Sequence, residues 1–256
     1  FMEGAVNMST TGGEIIYIMG SNFGPLTTPS SLLDGSTFTP IVRYGTTIIN
    51  LQNNVTSLSS INGQDDILDT VVYVASNCVV RIAHVQIMCT TAPGMGTNHY
   101  WEVTIGDQTS SISTIDTSYR PPVILSITGT GVEGGDTRGG QEVLIEGFGF
   151  HPSADITAEY GYGDMYTAMA CTVIVDHFSV RCLTDAGTGK NLPWKIVVGG
   201  QTSMTHTTSN CSYGTPVITS ITGTGANDAD TSGGQTITLK GDNFGPLGTT
   251  VYATYG

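Results

Sequence analysis

Four cysteines carry the clearest chemical spacing in the chain. Cys78 and Cys89 stand eleven residues apart, and so do Cys171 and Cys182. That separation fits strand, turn and strand, with two sulfurs facing each other across a hairpin. A disulfide closing such a loop contributes about 2–3 kcal/mol. The competing reading is two free buried thiols per copy, acting as small apolar residues. Zinc is disfavoured, because neither pair has CxxC closeness or a neighbouring histidine cluster. An identical repeat of the pair suits a staple, and staples belong to oxidising compartments. Cys211 is the odd one. Its counterpart one copy earlier is Thr117, so it lies outside the common framework and is either free or paired with a neighbouring chain or a further segment.

Asparagine offers a second chemistry. Asn7, Asn54 and Asn210 each open an N-x-Ser/Thr sequon, the acceptor for N-linked sugar. The chain has 12 Asn and 60 Ser plus Thr, so chance alone supplies nearly this number of sequons. Their placement says more: Asn54 falls in an insertion and Asn210 in a junction, both expected to be exposed. The Ser/Thr-rich strings 109–118 and 202–212 are candidates for O-linked sugar, with final-strand residues as the simpler reading.

Catalytic constellations are thin. Gly129, Gly131 and Gly134 spell GxGxxG, but no helix pattern follows, and Asp228 replaces the third glycine in the next copy; a dinucleotide site needs both. The run from Asp230 to Gly233 resembles an acid-protease loop only faintly and sits in a repeated turn. No HExxH or GxSxG motif occurs. Asp65, Asp66 and Asp69 lack the EF-hand order of ligands and read as a solvated loop. Trp101, Trp194, Tyr44 and Tyr160 invite a ligand-stacking role, but their fixed register argues for core packing.

The elements that position these residues form a repeat. Gly12-Gly13, Gly139-Gly140 and Gly233-Gly234 each open the same pattern. A further glycine follows seven residues on (Gly20, Gly147, Gly241) and a Phe at ten (Phe23, Phe150, Phe244). Between them Ile16/Ile18, Val143/Ile145 and Ile237/Leu239 alternate with other residues. That period of two predicts a strand with one buried face, and the closing glycine suits a tight bend that returns the Phe to the core. Tyr44-Gly45, Tyr160-Gly161 and Tyr255-Gly256 come next, then the cysteine pairs. Trp101 and Trp194 stand twelve residues after each second cysteine, with Gln108 and Gln201 seven beyond.

The offset from Gly139 to Gly233 is 94 residues and from Gly12 to Gly139 is 127. The first copy therefore carries about 33 extra residues, in loops before Tyr44 and between Gly45 and Cys78. Each later copy begins alike: YRPPVILSITGTG from Tyr119 and YGTPVITSITGTG from Tyr213. The expected domains are 1–117, lacking its first strand, 118–213, complete, and 214–256, the first half of a third. The chain reads as a window on a longer array. The junctions 115–122 and 210–216 are short and contain Tyr and Pro. Tyr119 and Tyr213 are expected to wedge between neighbouring domains and stiffen the joint.

Composition sets outer limits. Eight Lys plus Arg against 21 Asp plus Glu give a net charge of −13, too acidic to neutralise a row of phosphates, so nucleic acid is a poor partner. Charged residues are only 11% and Gly numbers 34: a polar, uncharged surface. No apolar run exceeds the five residues of Val71 to Ala75, far short of the roughly 20 needed to cross a bilayer. No basic-then-apolar leader follows Phe1. Helix periodicity is absent, and short Val/Ile/Thr/Tyr runs between turn residues predict an all-β chain.

Taken together, PxIxSITGTG, GGQxVxIxGxxF, YG, the spaced cysteines and CxTxxGxG…W…VGGQTS resemble the IPT/TIG domain along essentially the whole chain. The resemblance implies tandem immunoglobulin-like, E-set-like β-sandwiches. The family occurs in plexins and growth-factor receptors, fibrocystin-like proteins and long arrays on protist and bacterial surfaces. It also occurs in transcription factors and starch-acting enzymes. The cysteine-bearing form is similar to the extracellular branch. Function is expected to be non-enzymatic, with no cofactor beyond covalent glycans: a structural repeat of an extracellular filament, surface appendage or adhesion stalk. Its partners would be neighbouring copies of itself, surface proteins or glycans. A receptor ectodomain binding protein through its loops is the alternative, and an apolar patch on one copy alone would favour it. A carbohydrate-binding module would need a row of aromatics on one face.

Overall fold

The computed structural model describes residues 6–27, 39–46 and 72–256. Every regular element among them is a strand. The chain divides into two compact units, residues 1–121 with 199–201 and residues 122–198 with 202–256.

The first unit runs β1 (Val6–Met8), β2 (Ile15–Met19), β3 (Ile41–Gly45), β4 (Val72–Val74), β5 (Ser76–Ile82), β6 (Gln86–Thr90), β7 (Tyr100–Ile105), β8 (Gln108–Thr109) and β9 (Ser118–Tyr119). One sheet has the order β2-β6-β5 and the other β4-β3-β7-β8, while β1 and β9 form a short parallel pair. Ile16 and Ile18 on β2, and Ile87 and Cys89 on β6, turn inward from the first sheet. Val42 and Tyr44 on β3, and Trp101 and Val103 on β7, meet them from the second in one buried cluster. Alternation along each strand produces this division. Each large side chain so buried is worth about 1.5–3 kcal/mol of transfer free energy.

The second unit repeats the plan with β10 (Val123–Thr128), β11 (Glu142–Phe150), β12 (Ile156–Tyr160), β13 (Tyr166–Thr167), β14 (Met169–Val175), β15 (His177–Leu183), β16 (Leu192–Val198), β17 (Gln201–Thr202) and β18 (His206–Cys211). Its sheets are β10-β11-β15-β14 and β13-β12-β16-β17, with β18 also on β16. Ile124, Ile127, Val143, Ile145, Val180 and Cys182 face Ala158, Tyr160, Trp194, Ile196 and Val198 across the core. Among the described residues, the first unit has no counterpart of β10 beside β2. The third copy supplies β19 (Val217–Thr222) and β20 (Thr238–Asp242). Ile218 pairs with Gly241 there as Ile124 pairs with Gly147, and Ile218, Ile221 and Ile237 are exposed.

The closing glycine works differently from the sequence expectation. Gly147 takes no positive φ; the paired strand approaches it instead, so that a Cβ would lie 1.9 Å from the Val123 carbonyl oxygen and 2.9 Å from the Phe150 ring. Gly241 stands in the same relation to Val217, at 1.8 Å. Left-handed backbone belongs to the doublet that opens each copy: φ is +74° at Gly139 and +76° at Gly140, where any side chain would be strained.

The first unit runs on through Pro121. Tyr119 is part of the first unit's core and Tyr213 part of the second's, so each ring is packed inside a unit. Their hydroxyls explain why.

Candidate functional site

Each cysteine pair closes the hairpin that carries it. Cys78 on β5 is bonded to Cys89 on β6, and Cys171 on β14 to Cys182 on β15, each with a Cα–Cα distance of 4.1 Å. Left-handed backbone at His84 in the first turn and at His177, the first residue of β15, with φ of 67° and 68°, reverses the chain tightly in each hairpin and brings the sulfurs opposite one another. The disulfides staple the outer hairpin of one sheet in each unit, and they suit an oxidising environment.

The second constellation is aromatic and is built twice. Tyr44 stands directly across from Trp101 in the β3–β7 ladder, and Tyr160 across from Trp194 in β12–β16. The rings stack, with centroids 4.1 Å and 4.4 Å apart. A third ring comes from the tyrosine at the joint, Tyr119 or Tyr213. The phenol oxygens of Tyr44 and Tyr119 lie 2.7 Å apart, as do those of Tyr160 and Tyr213. Each pair grips the backbone N–H and C=O of one residue. The Ala92 N–H donates to Tyr44 at 2.9 Å while Tyr119 donates to the Ala92 carbonyl at 2.9 Å. The Asp185 N–H donates to Tyr160 at 2.8 Å while Tyr213 donates to the Asp185 carbonyl at 2.6 Å.

A fourth ring grips the same loop three residues on. Tyr73 accepts from Met95 N–H at 3.1 Å and donates to its carbonyl at 3.2 Å; Tyr166 does the same to Thr188 at 3.0 and 2.8 Å. The loops 91–98 and 184–191 carry no ladder of their own, so these phenols satisfy backbone groups that would otherwise be stranded. Burial pushes the Tyr44, Tyr73, Tyr119 and Tyr213 hydroxyls above the usual tyrosine value, and Tyr160 up to about 12. Trp101, Trp194, Tyr44 and Tyr160 are all buried, which removes them as a ligand platform. Tyr73 and Tyr166 escaped notice in the sequence, although each stands five residues before the first cysteine of its pair.

Cys211 finds its explanation here. In the first unit Trp101 Nε1 donates to the Thr117 hydroxyl at 3.0 Å. In the second, Trp194 Nε1 is enclosed without a hydrogen-bond partner, because Cys211 stands where the first unit has Thr117. The thiol donates to the Gly131 carbonyl. Cys211 is free and wholly buried, and burial pushes its thiol up to about 11. A bridge to another chain would require opening the core.

The remaining candidates are turns and surfaces. Gly129 to Gly134 follow β10 as bend and turn, with no helix. Asp230 accepts the Ser232 N–H and hydroxyl within its turn, as Asp136 accepts from Arg138 in the previous copy. Among the described residues no three His, Cys, Asp or Glu side chains could hold a metal, and no helix is long and apolar enough to cross a membrane. Asn7 is exposed on β1. Asn210 is half-buried on β18, and its amide oxygen is enclosed without a partner. Within the Ser-rich string, Ser110 and Ser113 are engaged internally, accepting from Val103 N–H and Trp101 N–H along β7. Asn54 and the cluster Asp65, Asp66 and Asp69 lie outside the described residues.

No known family model matches this chain, and neither does any curated protein.

Proposed function

We propose that this chain is a non-enzymatic segment of an extracellular repeat protein: tandem immunoglobulin-like domains of the IPT/TIG type in a filament, surface appendage or adhesion stalk. Neighbouring copies are its main partners, with surface proteins or glycans at its faces and covalent N-linked or O-linked sugar on its surface. One observation carries this reading. The four-ring grip and the disulfide recur residue for residue in both units (Tyr44, Tyr73, Trp101, Tyr119 and Tyr160, Tyr166, Trp194, Tyr213), and their phenols and cysteines are spent on holding their own domain.

The linkers support an extended array. Tyr119 is anchored in its own core and β10 begins at Val123, so only Arg120, Pro121 and Pro122 join them. Gly214, Thr215 and Pro216 are likewise all that separates Tyr213 from β19. Such short proline-bearing joints restrict the backbone, unlike Gly/Ser linkers, and suit quasi-one-dimensional stacking. Electron microscopy of a multi-domain preparation tests the proposal. Uniform rods are expected; a broad spread of interdomain angles or compact particles would overturn it.

One observation favours the receptor reading. Phe148 and Phe178 are 51% and 44% exposed and meet edge to face at 6.0 Å. The first copy has Ser21 and Val85 in their places, and the third has Asp242 for Phe148. An exposed aromatic pair on one copy alone is what a partner-binding face looks like. Loss of cell-surface binding by the labelled chain on Phe148→Ser would support this reading; unchanged binding would remove it.

A further inference from the structure

The two units differ at one internal position that bears on acid. His99 pairs with Thr117 in a β-bridge, and Leu192 pairs with Cys211 at the same place in the second unit. His99 is 0% exposed. Its Nε2 sits 3.0 Å from the Met95 carbonyl, and its Nδ1 is enclosed without a partner. Tyr73 and Tyr119 close on the ring edge to face at 5.5 and 5.4 Å, and Tyr44 does so at 6.2 Å.

We propose that His99 is a built-in acid trigger of the first unit: protonation of its enclosed Nδ1 loosens the tyrosine grip on loop 91–98, and Leu192 spares the second unit this device. Neutral imidazole satisfies the site with one donor. Imidazolium would carry a second N–H with no acceptor, and a charge among rings. The groups facing it are the three phenols of Tyr44, Tyr73 and Tyr119, all neutral at ordinary pH, and the carboxylate of Asp116. Desolvation lowers the imidazole below its usual value, against a weaker opposite pull from the Met95 and Gly96 carbonyls and Asp116. A group depressed in this direction gives stability that is present above the unfolded value near 6.5 and lost as pH falls below it.

The test is urea unfolding of the whole chain at pH 7 and pH 5, read by amide hydrogen exchange in peptides from β3 and β7 and from β12 and β16. In the native sequence the unfolding constant of the first unit should rise about tenfold across this interval through His99 alone. His99→Leu and the isosteric His99→Gln should each abolish that rise. Leu192→His should install it in the second unit. The other histidines, including buried His206 of the second unit, are unchanged in every variant and cancel. An unchanged acid slope in a folded His99 variant overturns the proposal. If neither His99 variant folds, Leu192→His decides alone: a new slope upholds the trigger and an unchanged one ends it.

Discussion

The hydroxyl of Tyr213 lies 2.7 Å from that of Tyr160, 53 residues earlier in the chain. This contact turns a residue of the interdomain junction into the last staple of the domain before it. The chain leaves each unit only after its closing tyrosine has reached back to the loop that follows the disulfide.

Removing that hydroxyl measures the staple. Tyr213→Phe keeps the ring but leaves Tyr160 and the Asp185 carbonyl short of a partner. A loss of about 1–3 kcal/mol is expected for a buried group left unsatisfied. Tyr119→Phe should behave alike in the first unit. Chemical denaturation read in each unit separately checks both; losses indistinguishable from zero would mean that water replaces the phenol and the grip is not structural.

Alkali should act through the same rings. Burial raises Tyr44, Tyr73, Tyr119 and Tyr213 above their ordinary value, and Tyr160 to about 12. These groups hold their protons more tightly when folded. Their contribution is fully present below the unfolded value of about 10 and is lost as pH rises above it. Absorbance at tyrosinate wavelengths should show exposed tyrosines ionising first and the buried set only with unfolding. A single smooth titration of all tyrosines in a folded chain would contradict the burial.

Much of this was legible in the residues. The spacing of Gly147, Phe150, Tyr160, the cysteines and Trp194 gave away the strands and their buried faces, because side-chain alternation and a twofold repeat leave little freedom in register. Three things were not legible. Tyr119 and Tyr213 stand beside prolines and read as linker; only the fold brings their hydroxyls to Ala92 and Asp185. Tyr73 and Tyr166 lose their common distance from Tyr44 and Tyr160 through the first copy's insertion, although their distance to the cysteine is kept. Gly147 looked like a turn residue, but the demand on it is the nearness of another strand's carbonyl, and spacing carries no trace of that.

The disulfides should be measurable one at a time. Non-reducing peptide mapping should link Cys78 to Cys89 and Cys171 to Cys182. Replacing either pair by alanine should cost about 2–3 kcal/mol in its own unit and leave the other unchanged, since distant sites add independently. Free thiols at all four positions would remove the staple and weaken the case for an oxidising compartment.

Sugar should discriminate between the two described sequons. Asn7 is exposed, whereas Asn210 is half-buried with its amide oxygen enclosed and is followed by the wholly buried Cys211. In a eukaryotic secretory host Asn7 should carry glycan at high occupancy and Asn210 little. Intact mass before and after enzymatic deglycosylation, with Asn7→Gln and Asn210→Gln as controls, gives the two occupancies. Full occupancy at Asn210 would show that sugar is added before β18 docks onto β16, making closure of the second unit slower than transfer. Bare asparagine at both sites would count against a glycosylated surface and against the extracellular eukaryotic version of the proposal.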